Sequence, residues 1–472
     1  MLMEDLYFGS RVVCFRACTG KCVALDFFEL DPIPEASRDS LKAIALSRAN
    51  PVSPVVPAIP AMVPLTFSEG AISAWPVELR GPLVKCTEDE DTAAPKGRAS
   101  GVRSAVIKCG QEWFRLKGCG NQDQGFVLRP VDVNPLLWTV RGCAFQHTAR
   151  LETAMTALIS KLLLEADAPL PANEPMGWIE YGVSESPVPE IIPYCGVFRT
   201  FGDRRLGDHL LQGLEMLIPF LDLSRVTLDL SVLPRERVDK DSIVPTWFAV
   251  LDDLPFFATE NLTLSLRQDL SVGDLLGVSD DCKSLLLELL NAVSQEDYDL
   301  GRNLTALYRR LGFECGLVLR CLHQNHVSWG TYADHMGTHC NAHANNMAII
   351  APFRNSKWLL GPLDFDMAFT EKIYLNLASG LSDSPYFQEN LRLERQGFRM
   401  TLAGDDKINS GVIGNVPLTE SFLNLKWALR DVLIIGFEDG MNGKSIEFAS
   451  SSMEDFKLLI EIALCLTSSI QA

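Results

Sequence analysis

The chain has 472 residues, 47% of them hydrophobic, and a formal net charge of −18 at pH 7. This length predicts either two or three domain-sized units or one large two-lobed protein. Because so negative a chain repels polyanions, general binding to nucleic acids or to anionic membranes is excluded as an expected function. A local basic pocket for a single nucleotide remains compatible with this charge.

The sequence predicts a cytoplasmic protein. No apolar run reaches the roughly 18 residues that a membrane-spanning helix needs. The first residues, MLMEDLYFGSRVV, are acidic and lack the basic and apolar regions of a targeting sequence. The 13 cysteines are scattered along the chain. Without a secretory signal, we interpret them as reduced thiols.

The first elements in chain order are predicted strands, RVVCFRA and CVALDFFEL, followed by a proline-rich segment at 31–66. From residue 98, GVRSAVIKCGQEWFRLKGCG alternates in the period of a strand, breaks at Cys109-Gly110 and alternates again, which predicts a β-hairpin. The segment CAFQHTARLETAMTALISKLLLEADAPLP has apolar residues at helical spacing and ends at proline. A further strand, IIPYCGVFRTF, and an amphipathic helix, LGDHLLQGLEMLIPFL, complete the first half.

Helical patterns prevail beyond about residue 220, as in SLLLELLNAV, NLTALYRRLGFECGLVLRCLHQNH and SMEDFKLLIEIALCLTSS. Between these helices, MAIIAP and NSKWLLGPLDF predict a short hairpin. We therefore predict an α+β protein with an N-terminal extension at 1–97, a β-rich unit at 98–220 and a helical unit at 221–472, whose loop at 335–370 carries the site.

Three of the seven histidines are spaced four residues apart, at His335, His339 and His343. This spacing is compatible with a zinc site, with Cys340 or Asp334 as a further ligand. The same segment, however, contains glycine, threonine and several asparagines, which are poor helix formers. The histidines are therefore not expected to share one face of a helix, and zinc remains the less favoured hypothesis.

The alternative hypothesis is a nucleotide site. Phosphate chemistry on ATP uses a lysine on a strand, a glutamate on a helix that holds this lysine, and an asparagine and an aspartate that bind Mg²⁺. Lys117, Glu152, Asn346 and Asp364 occur in that order on predicted elements of the right type. Asp366, in the same Asp-Phe-Asp motif, is a candidate second ligand.

These motifs resemble those of the selenoprotein O family of protein adenylyltransferases. That family has a strand ending in Leu-Lys-Gly-x-Gly, as WFRLKGCG does, and then a stretch with an arginine, which GFVLR resembles. RGCAFQHTARLETAM resembles its helix with the glutamate, and VFRTFGDRRLGDHL resembles its strand with a threonine–arginine pair. ANNMAII and LDFDMAF are similar to its catalytic loop and aspartate turn. The resemblance spans about 98–370.

The resemblance implies a two-lobed protein-kinase-like fold, with a β-rich N-lobe and a mainly helical C-lobe. It also implies that ATP binds with Mg²⁺ or Mn²⁺ and that AMP is transferred to a protein hydroxyl. Arg129, Arg199 and Arg205 are the candidate phosphate contacts that the resemblance adds.

One departure from the family concerns the catalytic aspartate, because Asn345 occupies its position. If the loop is aligned instead with aminoglycoside-kinase-like enzymes, the base position falls on Asn341. An amide cannot accept a proton as a carboxylate does. Either positioning and metal suffice, or His343, His339 or Asp366 acts as the base, or the protein binds nucleotide without turnover.

Three classes of function follow from these alternatives. The first is an enzyme that transfers AMP from ATP to a protein substrate. The second is an inactive ATP-binding pseudokinase that serves as an interaction platform for a protein partner. The third is a phosphotransferase acting on a small molecule. The sequence predicts no nucleic-acid or membrane partner, and it leaves the oligomeric state open.

Overall fold

The structure is a computed structural model, and it describes part of the chain. The described residues are 6–8, 12–17, 22–27, 83–86, 96–100, 104–109, 112–117, 120–121, 144–181, 193–221, 278–295, 298–334, 337–350, 354, 357–371, 385–404, 420–444 and 453–471. Within these ranges the protein is a mixture of helix and sheet, as the α+β prediction requires.

One large sheet contains most of the strands in the first half of the chain. Its neighbours run antiparallel except for one parallel pair, β3 with β7. The order across the sheet is β2-β9-β10-β6-β5-β4-β1-β3-β7, and β8 pairs with β10. The strands are β1 (Val12–Ala17), β2 (Cys22–Phe27), β3 (Leu83–Cys86), β4 (Lys96–Ala99), β5 (Ser104–Cys109), β6 (Glu112–Lys117), β7 (Gly120–Asn121), β8 (Ala144–Phe145), β9 (Asn173–Tyr181) and β10 (Pro193–Thr200).

The hairpin predicted between residues 98 and 117 is confirmed. β5 and β6 pair antiparallel, with Cys109 opposite Glu112 and Ser104 opposite Lys117. Strands from the predicted N-terminal extension join the same sheet, since β1 pairs with β4 and β2 pairs with β9. The sheet therefore draws on residues from both sides of the boundary expected at position 97.

The predicted helices are also present. A turn of π-helix at Leu206–Leu211 leads into α2, and side-chain caps at Ser279 and Asp299 begin α3 and α4. The helices are α1 (Gln146–Glu165), α2 (Gln212–Leu217), α3 (Asp280–Val293), α4 (Leu300–Gln324), α5 (Pro385–Ala403), α6 (Glu420–Met441) and α7 (Met453–Gln471).

Short two-stranded sheets form the segment between α4 and α5. The strands are β11 (Val327–Ser328), β12 (Thr331–Asp334), β13 (Gly337–Cys340), β14 (Met347–Ile349), β15 (Leu360–Pro362) and β16 (Phe369–Thr370). β11 pairs with β16, β12 with β13, and β14 with β15, so the predicted hairpin of MAIIAP and NSKWLLGPLDF is confirmed. Because His339 lies on β13, the histidine segment is extended there and not helical.

Helices α4 and α6 pack with their backbones in close contact. A Cβ atom at Gly312 would overlap the carbonyl group of Leu433, and one at Gly436 would overlap that of Arg309. Each helix repeats a glycine four residues later, at Gly316 and Gly440. Only glycine permits this approach, which holds α4 against the core.

The helices in the described ranges include none that is both long enough and apolar enough to cross a membrane.

Candidate functional site

Lys117 is surrounded by carboxylates. Its Nζ lies 3.0 Å from Oε2 of Glu152 and 2.9 Å from Oδ2 of Asp366, and it also forms an ion pair with Oδ1 of Asp364. The side chains of Lys117 and Glu152 are only 6% and 3% exposed. The order of four residues in the sequence predicted a nucleotide site: Lys117, Glu152, Asn346 and Asp364. The structure brings three of them, Lys117, Glu152 and Asp364, into one cluster of ion pairs.

Two elements from the first half of the chain position the lysine and the glutamate. Lys117 ends β6, and Ser104 of β5 and Gly196 of β10 lie directly opposite it. Glu152 lies on α1, where its neighbours Leu151 and Met155 are buried in the core. The apolar face of α1 therefore turns Glu152 inward, toward the end of β6.

Asp364 follows β15 and has an unusual backbone conformation, with φ of 67°. This left-handed region is unfavourable for most residues other than glycine. Hydrogen bonds on both sides hold the turn: Nδ2 of Asn341 donates to the carbonyl of Asp364, and the amide N–H of Leu363 donates to the carbonyl of Asn346 at 3.0 Å. The strained turn directs the Asp364 carboxylate to Lys117.

Asn346 is held beside this turn by Asn341. Its Nδ2 donates to both the backbone carbonyl and the Oδ1 of Asn341, at 2.8 and 3.0 Å. These bonds orient the buried amide, and the Oδ1 of Asn346 is the atom able to bind a cation. Both ends of the Asn341 amide are used in these contacts, which gives Asn341 a supporting role in the loop.

The carboxylates of the cluster ionise differently. Burial raises the pKa of Glu152 to about 7, even though the Lys117 ammonium favours its charged form. Burial also opposes ionisation of Asp364, but Lys117 and Arg115 outweigh it and hold the pKa of Asp364 below its usual range. Burial therefore disfavours the charged form of Glu152, whereas the neighbouring cations keep Asp364 ionised.

Arg205 is a further cation whose charge interacts with Asp364. Its Nη1 donates to the carbonyl of Asn345 at 3.0 Å, and Asp203 is 4.0 Å from Nη2. Burial lowers the pKa of Arg205 to about 10, so the guanidinium keeps its charge at pH 7. Arg205, which was expected to contact phosphate, is therefore positively charged and close enough to interact with Asp364 of the cluster.

Asn345, a candidate catalytic residue from the sequence, is engaged by Asp208. The Asn345 Nδ2 donates to the Asp208 carboxylate at 2.7 Å, and the Asp208 amide N–H donates to the Asn345 Oδ1 at 2.8 Å. Asp208 is exposed, and nothing in the sequence indicated its contact with a residue 137 positions away. A carboxylate thus lies beside the amide of Asn345.

His343 is the remaining candidate base. Burial lowers its pKa, while Asp364 and Asp208 act in the opposite direction. The imidazole is therefore mostly neutral at pH 7 and able to accept a proton. Its charge interactions place it near Asp364, Arg205 and Asp208.

The zinc hypothesis receives no support in the described residues. Burial raises the pKa of Cys340 to about 12, and its thiol contacts Thr331 and the Ala342 carbonyl, so it is a protonated, buried thiol in this structure. His335 lies outside the described residues, as does the side chain of His339.

Arg199, one of the arginines expected to contact phosphate, is not part of the cluster. Arg199 shares a face of the sheet with Phe114, opposite to the face of Lys117, and its guanidinium pairs with Glu112 and Glu174 at 3.1 and 3.0 Å. Arg129 lies outside the described residues.

Sequence reasoning missed Arg115, which is two residues before Lys117 and on the same face of β6. Its side chain is buried, and its charge acts on Glu152, Asp364 and Arg205. The sequence EWFRLK contained a signal for this residue. Arg115 is separated from Lys117 by one apolar residue, so on a strand both cations lie on the same face.

The acidic cluster has the donor atoms that a hard divalent cation prefers. One carboxylate oxygen from each of Glu152, Asp364 and Asp366 lies within 4.8 Å of the other two. Oxygen ligands of Mg²⁺, at about 2.1 Å from the ion, are at most about 4.2 Å apart. The same three carboxylates contact the Lys117 ammonium, so a cation bound among them would replace some of these contacts.

Comparisons with protein-family models, with curated proteins and with solved structures found no match to this chain.

Proposed function

We propose that this protein binds ATP with Mg²⁺ between the sheet and the loop at 335–370, in a two-lobed kinase-like arrangement, and transfers AMP to a protein hydroxyl. The observation that carries the proposal is the contact of Lys117 with Glu152 and Asp364 together. These residues are distant in the sequence, yet they meet in the combination that phosphate chemistry on ATP uses.

The charges of the described cluster support this assignment. Asp364, Asp366 and Asn346 supply oxygen ligands for Mg²⁺, which would neutralise charge on the phosphates. Lys117, held by Glu152, and Arg205 both supply positive charge that interacts with Asp364. Preorganised charges of this kind stabilise the additional charge of a phosphoryl-type transition state.

The transfer of AMP comes from the resemblance to the selenoprotein O family. In this step a hydroxyl oxygen of the protein substrate attacks the α-phosphorus, and a new P–O bond forms. The bond from the α-phosphorus to the bridging oxygen breaks, and pyrophosphate leaves. The hydroxyl proton passes to the neutral imidazole of His343, the candidate base that remains once Asn341 and Asn345 are amides engaged in hydrogen bonds.

A second candidate, an ATP-binding pseudokinase, is favoured by one observation. Both amides at the possible base positions make hydrogen bonds within the protein, Asn345 to Asp208 and Asn341 to the turn at Asp364. A loop stabilised in this way can hold nucleotide without activating a hydroxyl.

The experiment that tests the proposal uses ATP labelled at either the α- or the γ-phosphate, with Mg²⁺ or Mn²⁺ and a protein extract. Label transferred to protein only from the α position supports AMP transfer, and label only from γ shows phosphorylation instead. Measurable ATP binding without label from either position favours the pseudokinase. An Asp364→Ala variant should lose all transfer, and an unaffected variant would show that the site is assigned wrongly.

A further inference from the structure

Arg115 is a buried cation whose hydrogen-bonding capacity is largely unused. Its side chain is 4% exposed on β6. Nη2 donates to Oγ of Ser104 at 3.5 Å, while Nε and Nη1 have no hydrogen-bond partner among the described residues. A buried guanidinium that lacks partners is unfavourable, because removing the charge from water is not compensated.

The groups around Arg115 indicate where an anionic ligand would bind. It lies on the same face of β6 as Lys117, opposite Val106 of β5 and Phe198 of β10. Its charge stabilises the ionised forms of Glu152 and Asp364 and opposes that of Arg205, so the guanidinium lies near all three. Within the described chain, however, no carboxylate comes within ion-pair distance of it.

The other two cations of the site are already engaged. Three carboxylates contact the Lys117 ammonium, and Arg205 donates to the carbonyl of Asn345. Arg115 is thus the cation at the sheet side of the cluster with unused donors. Water could accept from these donors but would not balance the charge. The planar fork of a guanidinium matches the oxygens of a phosphate group, and the paired bonds are strong when water is excluded.

We propose that Arg115 is an anion-binding residue of this site and binds a phosphate group of the nucleotide through its unused N–H groups, beside Lys117. This inference rests on the proposed nucleotide function for the identity of the ligand. It assigns the phosphate contact on the sheet to a residue two positions before the lysine, outside the Leu-Lys-Gly-x-Gly motif.

The test compares three variants with the wild-type protein by calorimetric titration. Arg115→Met removes the charge at similar length, Arg115→Lys keeps the charge without the fork, and Arg302→Met removes an exposed arginine of α4 as a control. The probes are ATP with Mg²⁺, adenosine, and inorganic pyrophosphate. We expect Arg115→Met to weaken ATP and pyrophosphate binding at least about tenfold, with adenosine unaffected and Arg115→Lys intermediate.

Thermal unfolding without ligand provides an independent reading. If the charge of Arg115 is unpaired until an anion binds, the Arg115→Met variant should unfold at the same temperature as the wild type or at a higher one. A purely structural role predicts a lower midpoint, and this result together with unchanged ATP affinity would overturn the inference.

The outcomes separate this inference from the proposed function. ATP binding that is equal in the wild type and in Arg115→Met overturns the inference and leaves the nucleotide function standing. Pyrophosphate binding that depends on Arg115, without ATP binding, supports the anion site and contradicts the nucleotide function. Wild-type protein that binds neither probe contradicts both.

Discussion

The side chains of Asn345 and Asp208 hold each other through two hydrogen bonds, one from the Asn345 Nδ2 to the Asp208 carboxylate and one from the Asp208 amide N–H to the Asn345 Oδ1. Gly207 permits this contact, since a Cβ atom there would overlap the Asn345 Oδ1. The loop at 335–370 is thereby fixed to the turn that precedes α2.

Replacing Asn345 by aspartate should break this pair. Asn345→Asp sets two carboxylates against each other and removes a donor, which we expect to lower the free energy of unfolding by about 1 kcal/mol at pH 7. Chemical denaturation measures the change.

The matched control exchanges the two side chains. In the double variant Asn345→Asp with Asp208→Asn, the amide at 208 can donate to the new carboxylate, so most of the lost stability should return. A double variant that is no more stable than Asn345→Asp alone would contradict the pairing. The same variant places a carboxylate at one of the candidate base positions, so the proposed transfer can be assayed in it beside the wild type.

The second prediction concerns pH and His209. Burial, together with Arg204 and Arg205, lowers the pKa of His209 to about 3, and its Nδ1 accepts a hydrogen bond from the Arg205 amide at 3.1 Å. Because the folded pKa lies below the unfolded value of about 6.5, the unfolded chain binds the proton more readily between these values. Stability is therefore complete above about pH 6.5 and falls as the pH is lowered toward 3.

His209→Asn retains an acceptor near the position of Nδ1 but does not titrate. The difference in unfolding free energy between the wild type and this variant should change by up to about 1.4 kcal/mol per pH unit across that window. Denaturation curves at pH 7, 6, 5 and 4 would show it. A difference that is constant with pH would contradict the assignment.

The third prediction concerns Glu314, a fully buried carboxylate on α4. It accepts hydrogen bonds from the amides of Leu359 and Leu360, at 2.8 to 3.1 Å, and from Nε of Arg310 at 3.0 Å. These bonds anchor the beginning of β15, the strand that leads to Asp364. Glu314 is a positioning residue in this sense.

Glu314→Gln turns an amide donor toward these N–H groups, and we expect a loss of about 1–3 kcal/mol in unfolding free energy. The exposed Glu288 of α3 provides the control, since Glu288→Gln should change stability by less than about 0.5 kcal/mol. Equal effects of the two substitutions, measured by thermal unfolding, would contradict the role of Glu314 as an anchor.

Local patterns were sufficient to predict many of the elements, because strand alternation and helical spacing depend on neighbouring residues. The β5–β6 hairpin, α4 and α7 were predicted in this way. The pair of Lys117 and Glu152 was expected instead from the order of residue types that chemistry on ATP requires. The contact between Asn345 and Asp208 depends on how distant segments pack, so no local pattern contained it. Arg199 shows that a local motif does not fix which face of a strand a side chain takes. It lies on the face opposite to Lys117, and the residue before it, Phe198, lies on the same face as Lys117.

We propose that a nucleotide binds with a divalent cation between Lys117 and the turn of Asp364. The most direct measurement is the affinity for ATP, with and without Mg²⁺, of the wild type and of Lys117→Met and Asp364→Asn. We expect that Mg²⁺ strengthens the binding of ATP to the wild type. Each substitution should weaken ATP binding at least about tenfold, or about 1.4 kcal/mol, while thermal unfolding of the variants stays cooperative. Wild-type protein that binds no ATP, or variants that bind it as tightly as the wild type, would contradict the account.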